Sequence, residues 1–85
     1  MRLKLPTKSV PQISHERAGK LIRRVRREHG ISQWELADAM NISAPYISDL
    51  ERGRRNWTTE RFYLAGKTIR ELFKSRERAE FERWK

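Results

Sequence analysis

Apolar residues recur at helical spacing as Ala18, Leu21, Ile22 and Val25, which makes one face of a helix. Ser14 stands where an N-cap belongs and Gly30 where a helix gives out, so the pattern predicts a first helix from Ser14 to Gly30. A second starts at Ser32, where Glu35 completes a capping box and Ile31 and Leu36 form a hydrophobic staple. Its apolar stripe is Leu36, Ala37 and Met40. Eleven residues on, Ser43 repeats the cap, Ile42 and Ile47 repeat the staple, and Ile47 and Leu50 make the stripe of a third helix. Ile42 sits in the turn and points inward, and Ala37 lies where the second and third helices cross, small enough for the axes to approach closely.

A fourth helix is predicted from near Thr58, with Phe62, Ala65, Gly66 and Ile69 inward, and IRELFKSRERAEFERWK continues it without a break. Phe73, Phe81 and Trp84 share a face at offsets of 0, 8 and 11, with alternating charges over the remainder. They either fold back on the first helix or pack against a second copy or another partner. Residues 1–13 carry two prolines and the cations Arg2, Lys4 and Lys8, the pattern of an extended basic arm. The chain therefore divides into an arm (1–13), a helical domain (14–72, with the paired helices at 32–53) and a C-terminal helical extension (73–85).

The segment SQWELADAMNISAPYISDLERG sets two short helices about a turn with almost no spare residues. Proteins use that arrangement to present one helix to the major groove of DNA. The segment resembles the helix-turn-helix of the Xre/Cro (lambda-repressor-like) family of phage and bacterial repressors. The matching residues are Ser32-Gln33, Leu36-Ala37, Ile42-Ser43, Ile47-Ser48 and Leu50-Glu51-Arg52-Gly53. The likeness runs from about Gly19 to about Ile69. It implies an all-α fold, a compact domain of four to five helices, here with an extended N-terminal arm and an extended C-terminal helix.

Three residues depart from the family pattern. Asn41 replaces the glycine of the turn, and it is the next best residue for a left-handed backbone. Pro45 falls in the first turn of the third helix, where its missing amide would have had no partner anyway, so the Ser43 cap must use the Tyr46 amide. Trp57 replaces a proline and is expected to close the edge of the core rather than to stack on a base. The usual turn before a fifth helix is absent.

By family position, Ser43, Ala44, Pro45, Ser48 and Asp49 face the base edges. Ala44 and Pro45 suit the thymine methyl group, Ser48 can donate or accept, and Asp49 either accepts from cytosine or repels phosphate while facing solvent or Arg52. The resemblance assigns Gln33 to a phosphate at a helix N-terminus, with Tyr46, Arg52, Arg54, Arg55 and Asn56 around the same rim and Trp34 as a further donor or an exposed aromatic. It also pairs Arg26 with Glu51 in a partly buried ion pair.

Twenty Lys and Arg against 11 Asp and Glu give 85 residues a net charge of +9, as expected of a nucleic-acid partner, although ribosomal or membrane-surface proteins share it. A chain this short buries roughly 60–65% of its unfolded surface, so modest stability is expected. Without Cys, and with only His15 and His29 at opposite ends of the first helix, neither disulfide, zinc site nor other cofactor is expected. No phosphate loop or activated nucleophile appears, so the chain reads as a non-enzyme, with both histidines in capping or solvent positions. No apolar run matches a signal peptide or a membrane span, and a cytoplasmic location is expected. The length leaves no room for a ligand-sensing domain, so control is expected through concentration, a partner or degradation.

The expected function is therefore a DNA-binding transcriptional regulator, a repressor on the family's commoner role, reading a palindromic operator in double-stranded DNA as a homodimer. Two heads about 34 Å apart read far better than one. The rival is an antitoxin-type protein whose C-terminal helix binds a partner protein while the head regulates its own promoter. The arm either follows a DNA groove or is a solvated terminus.

Overall fold

Residues 14–84 are described by a computed structural model, and among them every regular element is a helix. The arm (1–13), with Arg2, Lys4 and Lys8, lies outside the described residues, as does Lys85. The helices are α1 His15–Glu28, α2 Gln33–Met40, α3 Ala44–Glu51 and α4 Thr59–Arg83.

Each start is capped by a hydroxyl. Ser14 Oγ accepts from the Arg17 amide at 3.1 Å, Ser43 Oγ from Tyr46 at 3.2 Å and Thr58 Oγ1 from Arg61 at 3.0 Å. At Ser32 the capping box is complete: its Oγ accepts from the Glu35 amide at 3.0 Å, and its own amide donates to Glu35 Oε1 at 2.8 Å. The expected end of α1 at Gly30 moves back to Glu28, because His29 already leaves helical geometry and Gly30 turns with φ +67°. The Ile31 amide then reaches the Arg26 carbonyl at 3.0 Å, a Schellman closure. Asn41 closes α2 the same way at φ 61°, with the Ile42 amide on the Ala37 carbonyl at 2.9 Å.

The core joins Ala18 and Ile22 of α1, Leu36, Ala37 and Met40 of α2, Ile47 and Leu50 of α3, and Ala65 and Ile69 of α4, closed by Ile31 and Trp57. Leu36, Ile47 and Leu50 lose all exposure, each contributing about 1.5–3 kcal/mol of transfer free energy. Phe62 and Gly66, expected inward, are only half-buried, and Thr68 takes an inward place instead. Close approach of α1 to α3 depends on Gly19: a Cβ there would stand 2.4 Å from the Leu50 carbonyl oxygen, inside any tolerable contact.

One polar cluster crosses this core. Arg26 Nε and Nη2 donate to the two Glu51 carboxylate oxygens at 2.7 and 3.0 Å, and Nη1 donates to the Ile31 carbonyl at 2.9 Å. Gln33 Nε2 adds a bond to Glu51 Oε1 at 3.0 Å. Helices α1, α2 and α3 are thus joined at one buried carboxylate.

The long α4 lies across α1 and α2. Phe73, Phe81 and Trp84 do not act as one surface: Phe73 meets the His29 ring edge-on at 4.8 Å, while Phe81 and Trp84 stay exposed. The packed part of α4 ends at Arg76, whose guanidinium donates to the Gly30 carbonyl and to the Glu35 carboxylate. Among the described residues no helix is long and apolar enough to cross a membrane.

Removing the Arg26 guanidinium strands the Glu51 charge, so Arg26→Ala is expected to cost about 3–5 kcal/mol in urea melts. The paired replacement Arg26→Met with Glu51→Met should recover most of that loss; equal melts for wild type and Arg26→Ala would contradict the assignment. Glu35 is held below its ordinary pKa, first by the Ser32 amide and then by Arg76. A carboxylate with a depressed folded pKa stabilises above its unfolded value, near 4.5, and that stabilisation is lost as pH falls through the folded value. The stability gap between wild type and Glu35→Gln is therefore expected at neutral pH and should close in acid melts.

Candidate nucleic-acid interface

Two sides of α3 do different work. Ile47, Leu50 and Glu51 are buried and Ala44 packs half-buried against the same core, whereas Pro45, Ser48, Asp49 and the C-cap Arg52 face outward, half-buried or exposed. The buried side is fixed at both ends. At the start, Ile47 and the Ser43 cap seat the first turn; at the end, Trp57 Nε1 donates to the Leu50 carbonyl at 3.1 Å and Glu51 holds Arg26. The Trp57 ring is buried and meets Phe62 edge-on at 5.7 Å, closing the core edge. Its backbone amide donates to His15 Nδ1 at 2.8 Å, so His15 is not a solvent residue but ties α1 to the loop after α3. His29 Nδ1 donates to the Val25 carbonyl at 2.7 Å, as befits the end of α1.

The outward arc carries two hollows. The first, about 220 Å³, is formed by Ser43, Ala44 and Pro45 with Trp34, Ala37, Asp38 and Ile42, and its surface is mostly apolar. Trp34 keeps 75% of its surface exposed beside it. The second, about 130 Å³ and polar, gathers Gln33, Ser48, Glu51 and Arg52 with Arg23 of α1. Ser48 and the two expected phosphate ligands Gln33 and Arg52 therefore share one notch. The Gln33 amide nitrogen has two hydrogens and gives one to Glu51, which orients the group and leaves one for a ligand.

Beyond α3 the cations are arranged around an aromatic ring. Arg55 lies over the Tyr46 ring at 4.4 Å and Arg61 at 5.1 Å, and Arg61 Nη1 donates to the Tyr46 hydroxyl at 2.8 Å. Asp49 faces Arg55 at 3.5 Å, not Arg52. Both partners of that pair remain solvent-accessible, so it contributes little and can be exchanged for another anion. Arg52, Arg54 and Asn56 are exposed along the same edge.

Three contributors were not singled out from the sequence. Arg23 was legible in principle, because it stands one turn before Arg26 on the same side of α1. Arg61 and Arg76 carried no such signal, since each looks like one more charge on a highly charged helix and meets partners 15 and 41–46 residues away.

The comparison with protein families matches residues 22–71 to a helix-turn-helix family model. Two curated relatives are similar over part of the chain. The HTH-type transcriptional regulator DdrOP3 of Deinococcus deserti is 49% identical over 39 residues, 46% of this chain and 30% of that protein. The uncharacterized HTH-type transcriptional regulator y4dJ of Sinorhizobium fredii is 44% identical over 45 residues, 53% of this chain and 58% of that one. The chain thus spans less than two thirds of either relative. No solved structure matches it.

Proposed function

The chain belongs to the Xre/Cro-like helix-turn-helix family, and on that premise we propose that it is a cytoplasmic transcriptional repressor that binds a palindromic operator in double-stranded DNA as a homodimer. Residues 43–52 enter the major groove. The observation that carries this is the division of α3 into a back locked to α1 and α2 and an outward arc, Pro45, Ser48 and Asp49 with the C-cap Arg52, that takes no part in the apolar core.

In this reading Ala44 and Pro45, beside the apolar hollow, take thymine methyl groups, and Ser48 donates to or accepts from a base edge. Each contact is worth at most about 1–3 kcal/mol of discrimination. Affinity comes chiefly from the backbone, which positions the head without reading sequence. Gln33 at the N-terminus of α2, Arg52 and Arg23 converge on one phosphate notch; Tyr46, Arg54, Arg55 and Asn56 meet the neighbouring phosphates, with Trp34 on the other flank. On approach to DNA, Arg55 leaves Asp49 for a phosphate and frees Asp49 to accept from a cytosine amino group.

The exposed Phe81 and Trp84 favour one second reading, an antitoxin-type protein whose α4 covers a partner while the head regulates its own promoter. Co-purification with a stoichiometric neighbour-encoded protein distinguishes it from a plain repressor.

Gel shifts on operators selected from genomic DNA test the main reading. If a dimer neutralises roughly 6–10 phosphates, log affinity falls against log salt with a slope of about 5–9 in magnitude, and a nearly flat profile excludes the reading. In the same assay Asp49→Ala should relax preference at a single base pair. Uniformly tighter binding to all sequences would instead mark Asp49 as a mere repeller of phosphate.

A further inference from the structure

Tyr63, Arg70 and Glu77 of α4 and its C-cap Trp84 recur at every seventh residue, and a seven-residue step drifts only about 20° around a helix, so they form one line along it. All four are exposed, Tyr63 by 73% and Trp84 by 83%. Among the described residues neither Arg70 nor Glu77 has an ion-pair partner within the chain. The order along the line is aromatic, cation, anion, aromatic. That order is self-complementary: two copies laid antiparallel about a two-fold axis between residues 73 and 74 set Arg70 of each against Glu77 of the other, and Tyr63 against Trp84. A parallel arrangement would set like charges together.

Phe81 flanks the aromatic end of this line and is 69% exposed, which puts it at the edge of the seam. Gly66 and Tyr63 also border an open groove of about 460 Å³ whose α1 wall includes Leu21 and Val25. The aromatic end of the second α4 runs alongside this groove.

We propose that α4 is the seam of the homodimer, antiparallel and held by two symmetric Arg70–Glu77 pairs, with Trp84 of each copy packed on Tyr63 of the other and Phe81 at the edge. This rests on the homodimer reading above and names its surface. None of these residues belongs to the outward arc of α3, so both reading helices stay free.

Charge reversal in sedimentation-equilibrium experiments on the full chain tests the seam. Arg70→Glu and Glu77→Arg, each placing like charges together twice, should weaken dimerisation roughly tenfold or more. The double variant restores opposite charges and should return to within about threefold of wild type, serving also as the control for folding. Trp84→Ala should weaken the dimer without changing helix content. A wild-type dimer indifferent to all of these variants overturns the seam and leaves the homodimer standing. A wild-type chain that stays monomeric throughout the micromolar range, or whose Trp84 is covered only by a different protein, overturns the seam and the homodimer together. The salt-dependent gel shift then judges DNA binding separately.

Discussion

A single buried carboxylate organises this domain. Glu51 sits at the last turn of α3 and receives the Arg26 guanidinium from α1 through two bonds and the Gln33 amide from the first turn of α2. Burying a charge without partners is costly, so the three helices can enclose Glu51 only in the arrangement that brings both donors to it. Apolar burial supplies most of the driving force, but Leu36, Ile47 and Leu50 would tolerate small rotations that the bidentate pair does not. The angle at which α3 leaves the body is therefore set by a directional contact. The outward arc of α3 inherits its position from that contact, as does Gln33.

Much of this was legible along the chain because it is local. Ser32 and Glu35, three residues apart, declare a capping box, and the structure has both of its bonds. Asn41 in the place of a turn glycine declares a left-handed residue, and its φ is 61°. The alternation of apolar positions marked the faces of α1, α2 and α3, because each small helix has only one buried side. What composition and spacing left open was long-range. The continuous helix after Ile69 was readable, but its aromatic residues divide: Phe73 finds the His29 edge, whereas Phe81 and Trp84 stay exposed among the described residues.

The residues that escaped notice share one physical trait. Arg61 and Arg76, like the His15 ring whose bond to the Trp57 amide was not foreseen, each make a polar contact or pair of contacts with groups far away in sequence, and nothing in their neighbours marks these out. In a chain with 20 cations, one more arginine carries no information until the fold brings a carbonyl or a phenol to it. Arg76 shows the cost of that anonymity most clearly: it joins the turn after α1, the capping box of α2 and the middle of α4 through Gly30 and Glu35.

The Asp49–Arg55 pair gives the rim of α3 a property that net charge does not describe. Arg55 lies over the Tyr46 ring and beside a carboxylate, so its cation already has a solvent-exposed companion. An incoming anion must outcompete that companion before it gains the arginine. A lone surface carboxylate offers no better than what is already there, since such exposed pairs are worth at most about 1 kcal/mol. A chain of closely spaced phosphates, which surrenders condensed counterions on contact, does offer more. In the proposed DNA-binding role, the pair gives Arg55 a small bias, at most about 1 kcal/mol, against a lone carboxylate and in favour of a polyanion.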